Sequence, residues 1–469
     1  MAAVLIAAAA LRIYEAVARP LHVDEGLSLQ LAGEKASDAL AYLYHADVHP
    51  PGFTFFLKPF VALHAPDVVV RIAMALLGTL SVWLLMRLLL VWNMEPGAAV
   101  AAGGAAALMP SLIYYDGMIR MYAPFDAAIV ASFVLLSIAV SGGAVSPTAR
   151  RCAWIGWTAC SAISIWLLYL GFFFLAAQLA FLLVARRGAL VRGLIGAMVA
   201  ICSWLPQLPV FLHQSPRGGL AFAQELNDVP GSIAALAAQA TIAPFAQGPV
   251  LMALSALVWL AAIWAFVATL RRAGSTMLPY LALPAALTVA AAIATHKALY
   301  MDRYYLVAAY ALCAWLGVAV AEALHSRRFA ARIALAAAGA ALAAQAIAYA
   351  AIPSNYTADW PAVERVLRSS AAPQDVFVFV RGTPIRVIDR TDLLAGRTYG
   401  GLLSPDDVQS TIEALRGHAR IWYIEYQPYQ VDPRLRIAHF LAATYQLGGQ
   451  WYFPRDVPGE SVRIAFFHT

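Results

Sequence analysis

Residues 21–60, LHVDEGLSLQLAGEKASDALAYLYHADVHPPGFTFFLKPF, decide which fold the chain adopts. This polar stretch lies between two apolar runs, over residues 1–18 and 72–91, and each run has roughly the 20 residues that a bilayer span needs. An acidic pair, DE, follows the first run closely, and a D-x-HPP element stands later in the same stretch. The stretch is therefore predicted to be a long loop that presents carboxylates and a histidine at a membrane surface.

The composition of the whole chain excludes an ordinary soluble protein. Of the 469 residues, 62% are hydrophobic and 12% are charged, and the mean hydropathy is +0.70. In an average soluble domain, roughly half of the residues are hydrophobic and roughly a quarter are charged. The surplus of 32 Lys and Arg over 26 Asp and Glu falls in the apolar part of the chain, where basic loops hold membrane spans. No basic patch with interleaved aromatic residues accompanies it, so no nucleic-acid partner is expected.

Apolar runs between charged or Pro/Gly-rich breaks predict a polytopic α-helical membrane protein with about eleven transmembrane helices. The apolar stretch over residues 53–63 is too short to cross, so we predict a helix that lies in the membrane interface. The alternative is an additional span, which inverts the orientation of everything after it. The predicted spans cover residues 1–18, 72–91, 97–113, 123–140, 152–169, 171–185, 194–212, 249–270, 278–295, 304–323 and 331–351.

Arginines collect on one side of this arrangement. Eleven of them fall in alternate short connections, as the positive-inside rule expects of cytoplasmic loops. This bias places the N-terminus in the cytoplasm, and the odd number of spans places the C-terminal segment on the opposite face. In a bacterium the protein then lies in the inner membrane, with the first long loop, about residues 19–71, in the periplasm. The arginines are Arg87, Arg150, Arg151, Arg186, Arg187, Arg192, Arg271, Arg272, Arg327, Arg328 and Arg332.

The composition changes after residue 352. In residues 353–469, 24 of 117 residues are charged, about twice the density of the preceding part. Alternating and β-branched or aromatic residues predict strands over 375–381, 420–427 and 461–468, and helices are predicted over 358–370, 405–417 and 433–445. The chain is therefore predicted to consist of a transmembrane domain over residues 1–352 and a small α/β domain in the periplasm over residues 353–469.

The first loop holds the strongest constellation of chemically active side chains. Asp24 and Glu25 follow the first span, and Asp47 and His49 stand about 25 residues later. Carboxylates and an imidazole at a membrane surface can act as a general base, as metal ligands or as partners of a phosphate. An adjacent acidic pair can equally be a solvated part of the loop. The two prolines after His49 hold its backbone in an extended conformation, which either presents the imidazole rigidly or simply starts the next helix.

Basic residues and tyrosines stand at the outward ends of predicted spans. Arginine can hold a phosphate in a two-pronged fork, and tyrosine can contact sugar hydroxyls or an isoprenoid. Aromatic anchoring at the membrane interface is the alternative. All three lysines fall on the same face, and two of them, Lys35 and Lys58, lie in the first loop. The other residues belong to YYDGMIRMYAPF and HKALYMDRYYL and are Arg120, Tyr122, Lys297, Arg303 and Tyr304.

A carboxylate also lies inside the predicted fourth span. Asp126 is unusual there because a charged group within a bilayer is unfavourable and often functional. We expect it to form a hydrogen bond between helices.

Taken in order, the DE pair, the D-x-HPP element, the R-x-Y step at Arg120 and the RYY step at Arg303 resemble a known family. They are similar to those of the polyprenyl-phosphate-sugar-dependent glycosyltransferases of GT-C fold, in the bacterial branch related to protein O-mannosyltransferases and the lipid A aminoarabinose transferase. The resemblance covers nearly the whole chain. It implies transfer of a monosaccharide from a polyprenyl-phosphate donor to a hydroxyl of an envelope acceptor: lipid A, another glycan, a lipid or a protein.

The resemblance also implies roles for individual residues. Asp24 matches the general base or the acid that orients the acceptor, and Glu25 matches its support. Asp47 and His49 match the element that lines the substrate cavity. The aminoarabinose transferases carry Lys before the prolines, so His49 is left with three alternatives: it contacts the donor phosphate, binds a metal with Asp24 or Asp47, or shapes the loop. A divalent metal (Mg, Mn or Zn) is the only cofactor considered. The competing function is a transporter or flippase of a lipid-linked sugar without covalent chemistry.

Overall fold

The computed structural model describes most of the chain, and the described residues are 1–141, 145–214, 237, 240–241, 249–272, 278–295, 306–325, 329–351, 357–388, 392–402, 405–455 and 460–469. The chain divides into two compact units. Unit one consists of Met1–Val17 and Ala32–Ala351, and unit two consists of Ala18–Leu31 and Ile352–Thr469. Residues of the predicted first loop that include the DE pair therefore belong to the same unit as the C-terminal residues.

The described part of unit one is built of α-helices. By length and composition, four of the described helices can cross a membrane: Asp67–Val91, Tyr122–Ala139, Arg187–Gln214 (interrupted by short 3₁₀ turns) and Pro249–Val267. The chain is thus a largely helical protein with several candidate spans, while eleven spans stays a prediction. In chain order the helices are α1 (Ala2–Ala18), α2 (Val23–Gly33, which crosses the boundary between the units), α3 (Ala36–Ala46), α4 (Gly52–Ala62), α5 (Asp67–Val91), α6 (Pro96–Leu108), α7 (Pro110–Asp116), α8 (Tyr122–Ala139), α9 (Pro147–Leu167), α10 (Gly171–Ala185), α11 (Leu190–Trp204), α12 (Leu208–Gln214), α13 (Pro249–Arg272), α14 (Leu283–Thr295), α15 (Leu306–His325) and α16 (Phe329–Ala350).

The predicted third span is broken into two helices. Helices α6 and α7 are bent by 65° at Met109, whose backbone is extended, whereas the sequence predicted one helix over residues 97–113. Pro110 explains the break, because proline disfavours the helical conformation of the residue before it and offers no N–H to the preceding turn. If the bent pair is one span, the described helices include five candidates.

Buried charges in α1 are paired within unit one. The Arg12 Nε lies 2.7 Å from the Asp116 Oδ2, and both side chains are fully buried. The Glu15 Oε1 accepts a hydrogen bond of 3.0 Å from the Tyr349 hydroxyl. A Cβ atom on Gly78 would overlap the Asp116 carboxylate, so this glycine in α5 makes room for the pair. Partners of this kind allow charged groups to lie in a helix of a membrane protein.

Asp126 differs from these paired groups. Its side chain is buried in α8, and both carboxylate oxygens have no hydrogen-bond partner among the described residues. The expectation of a hydrogen bond between helices is therefore wrong for the part of the chain that the structure describes.

Unit two contains a five-stranded sheet in the order β2-β1-β3-β5-β4. Strands β2, β1 and β3 are parallel, and β5 is antiparallel to both of its neighbours. The three predicted strands correspond to β1, β3 and β5, and the structure adds two edge strands that the sequence analysis missed. The strands are β1 (Val376–Phe379), β2 (Thr398–Gly401), β3 (Arg420–Tyr426), β4 (Gln446–Phe453) and β5 (Val462–His468).

Both faces of this sheet are covered by apolar side chains, because successive residues of a strand point to opposite faces. One face packs against Trp360, Val363 and Leu367 of helix α17 (Trp360–Ser370), and Val23 of α2 belongs to the same cluster. Helix α18 (Ile385–Ile388) contributes Val387 and Ile388 to this cluster. The other face packs against α19 (Asp407–Leu415) and α20 (Arg436–Thr444).

Candidate functional site

Asp24 lies in the first turn of α2, which begins with an unusual cap. The Asp24 N–H donates a hydrogen bond of 3.2 Å to the His22 Nδ1, and the His22 N–H donates one of 2.8 Å to the Glu25 Oε2. This arrangement resembles a capping box, except that His22 replaces the usual Ser or Thr and its ring accepts from the N–H two residues on instead of three. The two side chains around Asp24 therefore fix the backbone that carries its carboxylate.

The two carboxylates of the DE pair have different surroundings. The Glu25 side chain is fully buried, and the Arg19 guanidinium lies 3.4 Å from its Oε2. The Asp24 side chain is 30% exposed, and its Oδ2 lies 4.0 Å from the His22 ring. The Asp24 carboxylate is therefore partly open to solvent, whereas the Glu25 carboxylate is enclosed by the helix cap and an arginine.

The N-terminus of α2 lies against the C-terminal residues of unit two. A Cβ atom on Gly26 would lie 3.1 Å from the Arg386 carbonyl oxygen, so the helix and α18 are in close backbone contact. Burial raises the pKa of Tyr426 on β3, and the charges of Glu460 and Asp24 raise it further. The Asp24 carboxylate is thus close enough for its charge to act on the end of β3.

Asp47 and His49 are in direct contact in unit one, between α3 and α4. The His49 Nδ1 donates to the Asp47 Oδ1 at 2.6 Å, and the same oxygen accepts from the Val48 and His49 backbone N–H groups. Burial raises the pKa of Asp47, but the charge and hydrogen bond of His49 and the charge of Arg120 outweigh burial and hold this pKa well below its usual range. The carboxylate is therefore ionised at neutral pH and orients the imidazole.

The segment that carries His49 is held by a residue that the sequence analysis did not single out. The buried Gln214 donates to the carbonyl oxygens of Leu43, at 2.7 Å, and of His49, at 3.3 Å. The Tyr169 hydroxyl donates to the Gln214 Oε1 at 2.8 Å. On the other side of the two prolines, a Cβ atom on Gly52 would overlap the carbonyl of Trp166. The loop is thus fixed from both ends.

Arg120 lies at the turn between α7 and α8, and Tyr122 is the first residue of α8. Arg120 is 6% exposed, and its charge acts on the Asp47 carboxylate. Tyr122 is buried with its ring centroid 5.2 Å from that of Tyr115. Its hydroxyl has no hydrogen-bond partner among the described residues. Asp47 is thus in direct contact with His49, and the charge of Arg120 reaches the same carboxylate.

The remaining predicted site residues are placed differently. The Lys58 ammonium donates to the carbonyl oxygens of Ala32, at 3.2 Å, and Glu34, at 2.6 Å, so it satisfies the end of α2. Lys297, Arg303 and Tyr304 lie outside the described residues.

The predicted metal ligands do not fit a metal site in the described part of the chain. The Asp47 Oδ1 already accepts from three N–H groups, and the His49 Nδ1 is one of those donors. Within the described ranges, no group of three or more His, Cys, Asp or Glu side chains is arranged to hold a metal ion.

Comparisons with sequences identify no relative, since neither a protein-family model nor a curated protein matches the chain. Solved structures do match it. ArnT from Cupriavidus metallidurans bound to undecaprenyl phosphate is similar with a TM-score of 0.59 and 13% identity, over 99% of this chain and 97% of that chain. ArnT in the apo state gives the same TM-score with 14% identity.

Archaeal oligosaccharyltransferases are also similar. The Archaeoglobus fulgidus enzyme in complex with Zn and sulfate matches with a TM-score of 0.53 and 13% identity, over 98% of this chain and 75% of that chain. AglB from the same organism, in complex with an inhibitory peptide and a dolichol-phosphate, matches with a TM-score of 0.51 and 12% identity, over 99% and 74%. The chain therefore has the fold of these membrane enzymes, the GT-C fold that the resemblance of its motifs predicted.

Proposed function

We propose that the protein is a membrane glycosyltransferase that moves a monosaccharide from a polyprenyl-phosphate donor to a hydroxyl of a cell-envelope acceptor. The observation that carries the proposal is the shared fold over 99% of the chain with ArnT, which was solved with undecaprenyl phosphate bound. Dolichol-phosphate in AglB supports the same class of lipid. The reaction takes place on the periplasmic face of a bacterial inner membrane, and the acceptor is lipid A, another glycan, a lipid or a protein.

Asp24 is the general base. Its carboxylate takes the proton of the acceptor hydroxyl while the hydroxyl oxygen forms a bond to the anomeric carbon of the sugar. The bond between that carbon and the phosphate oxygen breaks, and polyprenyl phosphate leaves, so the anomeric configuration is inverted. The partial exposure of Asp24 and its place in the first turn of a capped helix support this role.

Glu25 is a positioning residue in this mechanism. Its two contacts, with the His22 N–H and with Arg19, hold the backbone on either side of Asp24. Because the Glu25 side chain is fully buried, it acts on the reaction through the placement of Asp24.

Arg120 and His49 bind the phosphate of the donor. Both groups act on Asp47, and a phosphate that approaches them gains hydrogen bonds that strengthen as the leaving group acquires negative charge. Lys297 and Arg303 are proposed to contribute to the same phosphate, and Tyr122 and Tyr304 to the substrate cavity. Lys58 stabilises α2 through its carbonyl contacts and contributes positive charge to the first loop.

Incubation of the purified protein with a panel of radiolabelled polyprenyl-phosphate sugars and an envelope extract tests this proposal. Covalent incorporation of label into a lipid, glycan or protein fraction, with release of the polyprenyl phosphate, is the expected result. If the protein moves the intact lipid-linked sugar across vesicles and forms no covalent product with any donor, it is a transporter and the proposal is wrong. The shared fold with these enzymes favours transfer over transport.

A further inference from the structure

Arg381 lies at the edge of the unit-two sheet where two parallel strands end. β1 ends at Phe379 and pairs in parallel with β3, with Phe379 opposite Ile424. The Val380 N–H donates to the Ile424 carbonyl at 2.9 Å, and this contact continues the register and brings Arg381 level with Tyr426. In open α/β sheets, ligands bind in the crevice outside the carboxyl ends of parallel strands. Arg381 therefore stands where this type of sheet binds its ligands.

The Arg381 guanidinium rests on a rigid aromatic ring. Its central carbon lies 5.9 Å from the centroid of the Tyr426 ring. The ring is almost fully buried, and its hydroxyl donates to the Glu460 Oε1 at 2.9 Å and accepts from the Gln427 Nε2 at 3.0 Å. The Glu460 Oε2 also accepts from the Ala358 N–H at 3.0 Å. Glu460 is thus fully engaged with its own donors, and the ring beneath the arginine is held in one position.

Among the described residues, nothing takes up the N–H donors of the Arg381 guanidinium. Its side chain is half-buried, and among the described residues no carboxylate forms an ion pair with it. Other arginines of the unit are paired, such as Arg420 with Asp375 at 2.5 Å and Arg455 with Asp359 at 2.8 Å. A guanidinium that stacks on a ring keeps its planar fork of N–H groups for an oxyanion, and phosphate oxygens match that fork.

The same edge of the sheet adjoins the proposed base. Val23, next to Asp24, belongs to the apolar cluster that contains Phe379 and Tyr426. The close contact of Gly26 with the Arg386 carbonyl holds the first turn of α2 against α18. The Asp24 charge acts on Tyr426, the ring on which Arg381 stacks. An anion held by Arg381 therefore lies on the Asp24 side of unit two.

We infer that Arg381 binds a phosphate group of a substrate next to Asp24, so that the C-terminal part of the chain contributes directly to substrate recognition. The inference rests on the proposed function, because it takes Asp24 as the base. Two substrates supply a phosphate: the polyprenyl-phosphate donor and a phosphorylated acceptor glycolipid such as lipid A.

Chemical modification of arginine in the full-length protein distinguishes these sources. Phenylglyoxal modifies accessible guanidinium groups, and peptide mass spectrometry measures the rate at Arg381. We expect undecaprenyl phosphate or lipid A, at saturating concentration, to slow modification of Arg381 about tenfold, whereas neutral undecaprenol leaves the rate unchanged. The exposed Arg434 serves as the internal control and is modified equally under all conditions. Whichever lipid protects Arg381 identifies the source of the phosphate.

Variants give a second readout. Arg381→Gln is expected to lower the affinity for the protecting lipid about tenfold in a binding titration, because it removes the positive charge and the planar set of N–H donors. Arg381→Lys keeps the charge and recovers part of the affinity, and Arg434→Gln binds like the wild type. Unchanged affinity of Arg381→Gln for both lipids, together with no protection by either, overturns the inference. If the wild-type protein transfers no sugar but Arg381 is still protected, the phosphate site stands and the proposed function fails.

Discussion

The backbone N–H of His22 donates to the Glu25 Oε2 at 2.8 Å, and this contact closes the helix cap on which Asp24 lies. The His22 Nδ1 accepts from the Asp24 N–H, so the imidazole is held in the tautomer with its proton on Nε2. The buried glutamate thus fixes the first turn of α2, and the partly exposed aspartate is the carboxylate that we propose to be the base.

Replacement of Glu25 tests whether this side chain only positions Asp24. Glu25→Ala removes the cap and leaves the Arg19 guanidinium without one buried partner, and we expect unfolding to become about 2 kcal/mol easier. Glu25→Gln keeps an acceptor for the His22 N–H and should retain more than half of the wild-type turnover. Thermal unfolding in detergent and the pH profile of transfer are the measurements. A pH profile that changes shape in Glu25→Gln would show that Glu25 itself exchanges the proton.

The segment before the two prolines depends on Gln214. Gln214→Ala removes two donors to the loop carbonyls and one acceptor of Tyr169, so we expect a loss of about 2–3 kcal/mol of stability and weaker binding of undecaprenyl phosphate. Tyr169→Phe removes only one of these contacts and should cost about 1 kcal/mol. Titration of both variants with undecaprenyl phosphate measures whether Gln214→Ala loses more affinity than Tyr169→Phe. Equal affinity in wild type and Gln214→Ala would mean that the placement of His49 is not needed for donor binding.

Unit two contains a buried charge network around Asp375, and its contribution to stability decreases as the pH falls. Asp375 accepts from Arg420, from the Trp422 indole N–H at 2.7 Å and from the Ala372 N–H at 2.9 Å. Burial raises its pKa, but these hydrogen bonds and the Arg420 charge outweigh burial and lower it. Because the folded-state pKa is lowered, the stabilisation is fully present above the usual pKa of an aspartate and is lost as the pH falls through the lowered value.

Asp375→Asn is therefore expected to destabilise unit two by about 2 kcal/mol at pH 7, with a difference from the wild type that shrinks below about pH 4. Tryptophan fluorescence during thermal unfolding at several pH values measures this difference. Glu413→Gln, on the exposed side of α19, is the matched control and should behave like the wild type at every pH. A difference in stability between Asp375→Asn and the wild type that stays constant down to pH 3 would show that the charge of Asp375 does not stabilise unit two.

Gly78 and Gly104 provide a matched pair of helix glycines. A Cβ atom on Gly78 would overlap the Asp116 carboxylate that Arg12 holds, whereas a Cβ atom on Gly104 has no atom within 4 Å. We expect Gly78→Ala to destabilise unit one by about 1–3 kcal/mol. Gly104→Ala should leave stability unchanged or raise it slightly, because alanine favours the helix. Equal unfolding temperatures for the two variants would show that the buried pair moves freely.

Local patterns predicted the elements that depend on local forces. The apolar stretch at residues 53–63 became helix α4, and the strands over Val376–Phe379, Arg420–Tyr426 and Val462–His468 coincide with alternating or β-branched segments. The edge strands β2 and β4 were missed because glycines interrupt their patterns, in TYGG and QLGGQWYF. The bend at Met109 was also missed, although Pro110 carried the signal, because the apolar run continues across it.

The site was predictable only where its residues are neighbours in sequence. The contact of Asp47 with His49 spans two residues, and the extended backbone before the prolines was expected from sequence. The support by Gln214 spans 165 residues or more, and the pairing of Arg12 with Asp116 spans 104. No local pattern indicates such partners, because tertiary packing selects them. The grouping of Asp24 with the C-terminal residues was missed for the same reason.

Sugar transfer by Asp24→Asn tests whether the Asp24 carboxylate is the general base. The substitution keeps the size of the side chain and the first turn of α2, and it removes the carboxylate that we propose takes the proton. We predict that turnover falls about 10²–10⁴-fold while the unfolding temperature and the affinity for undecaprenyl phosphate stay at wild-type values. Turnover within a few-fold of the wild type, in the same purified preparation, would show that Asp24 is not the general base.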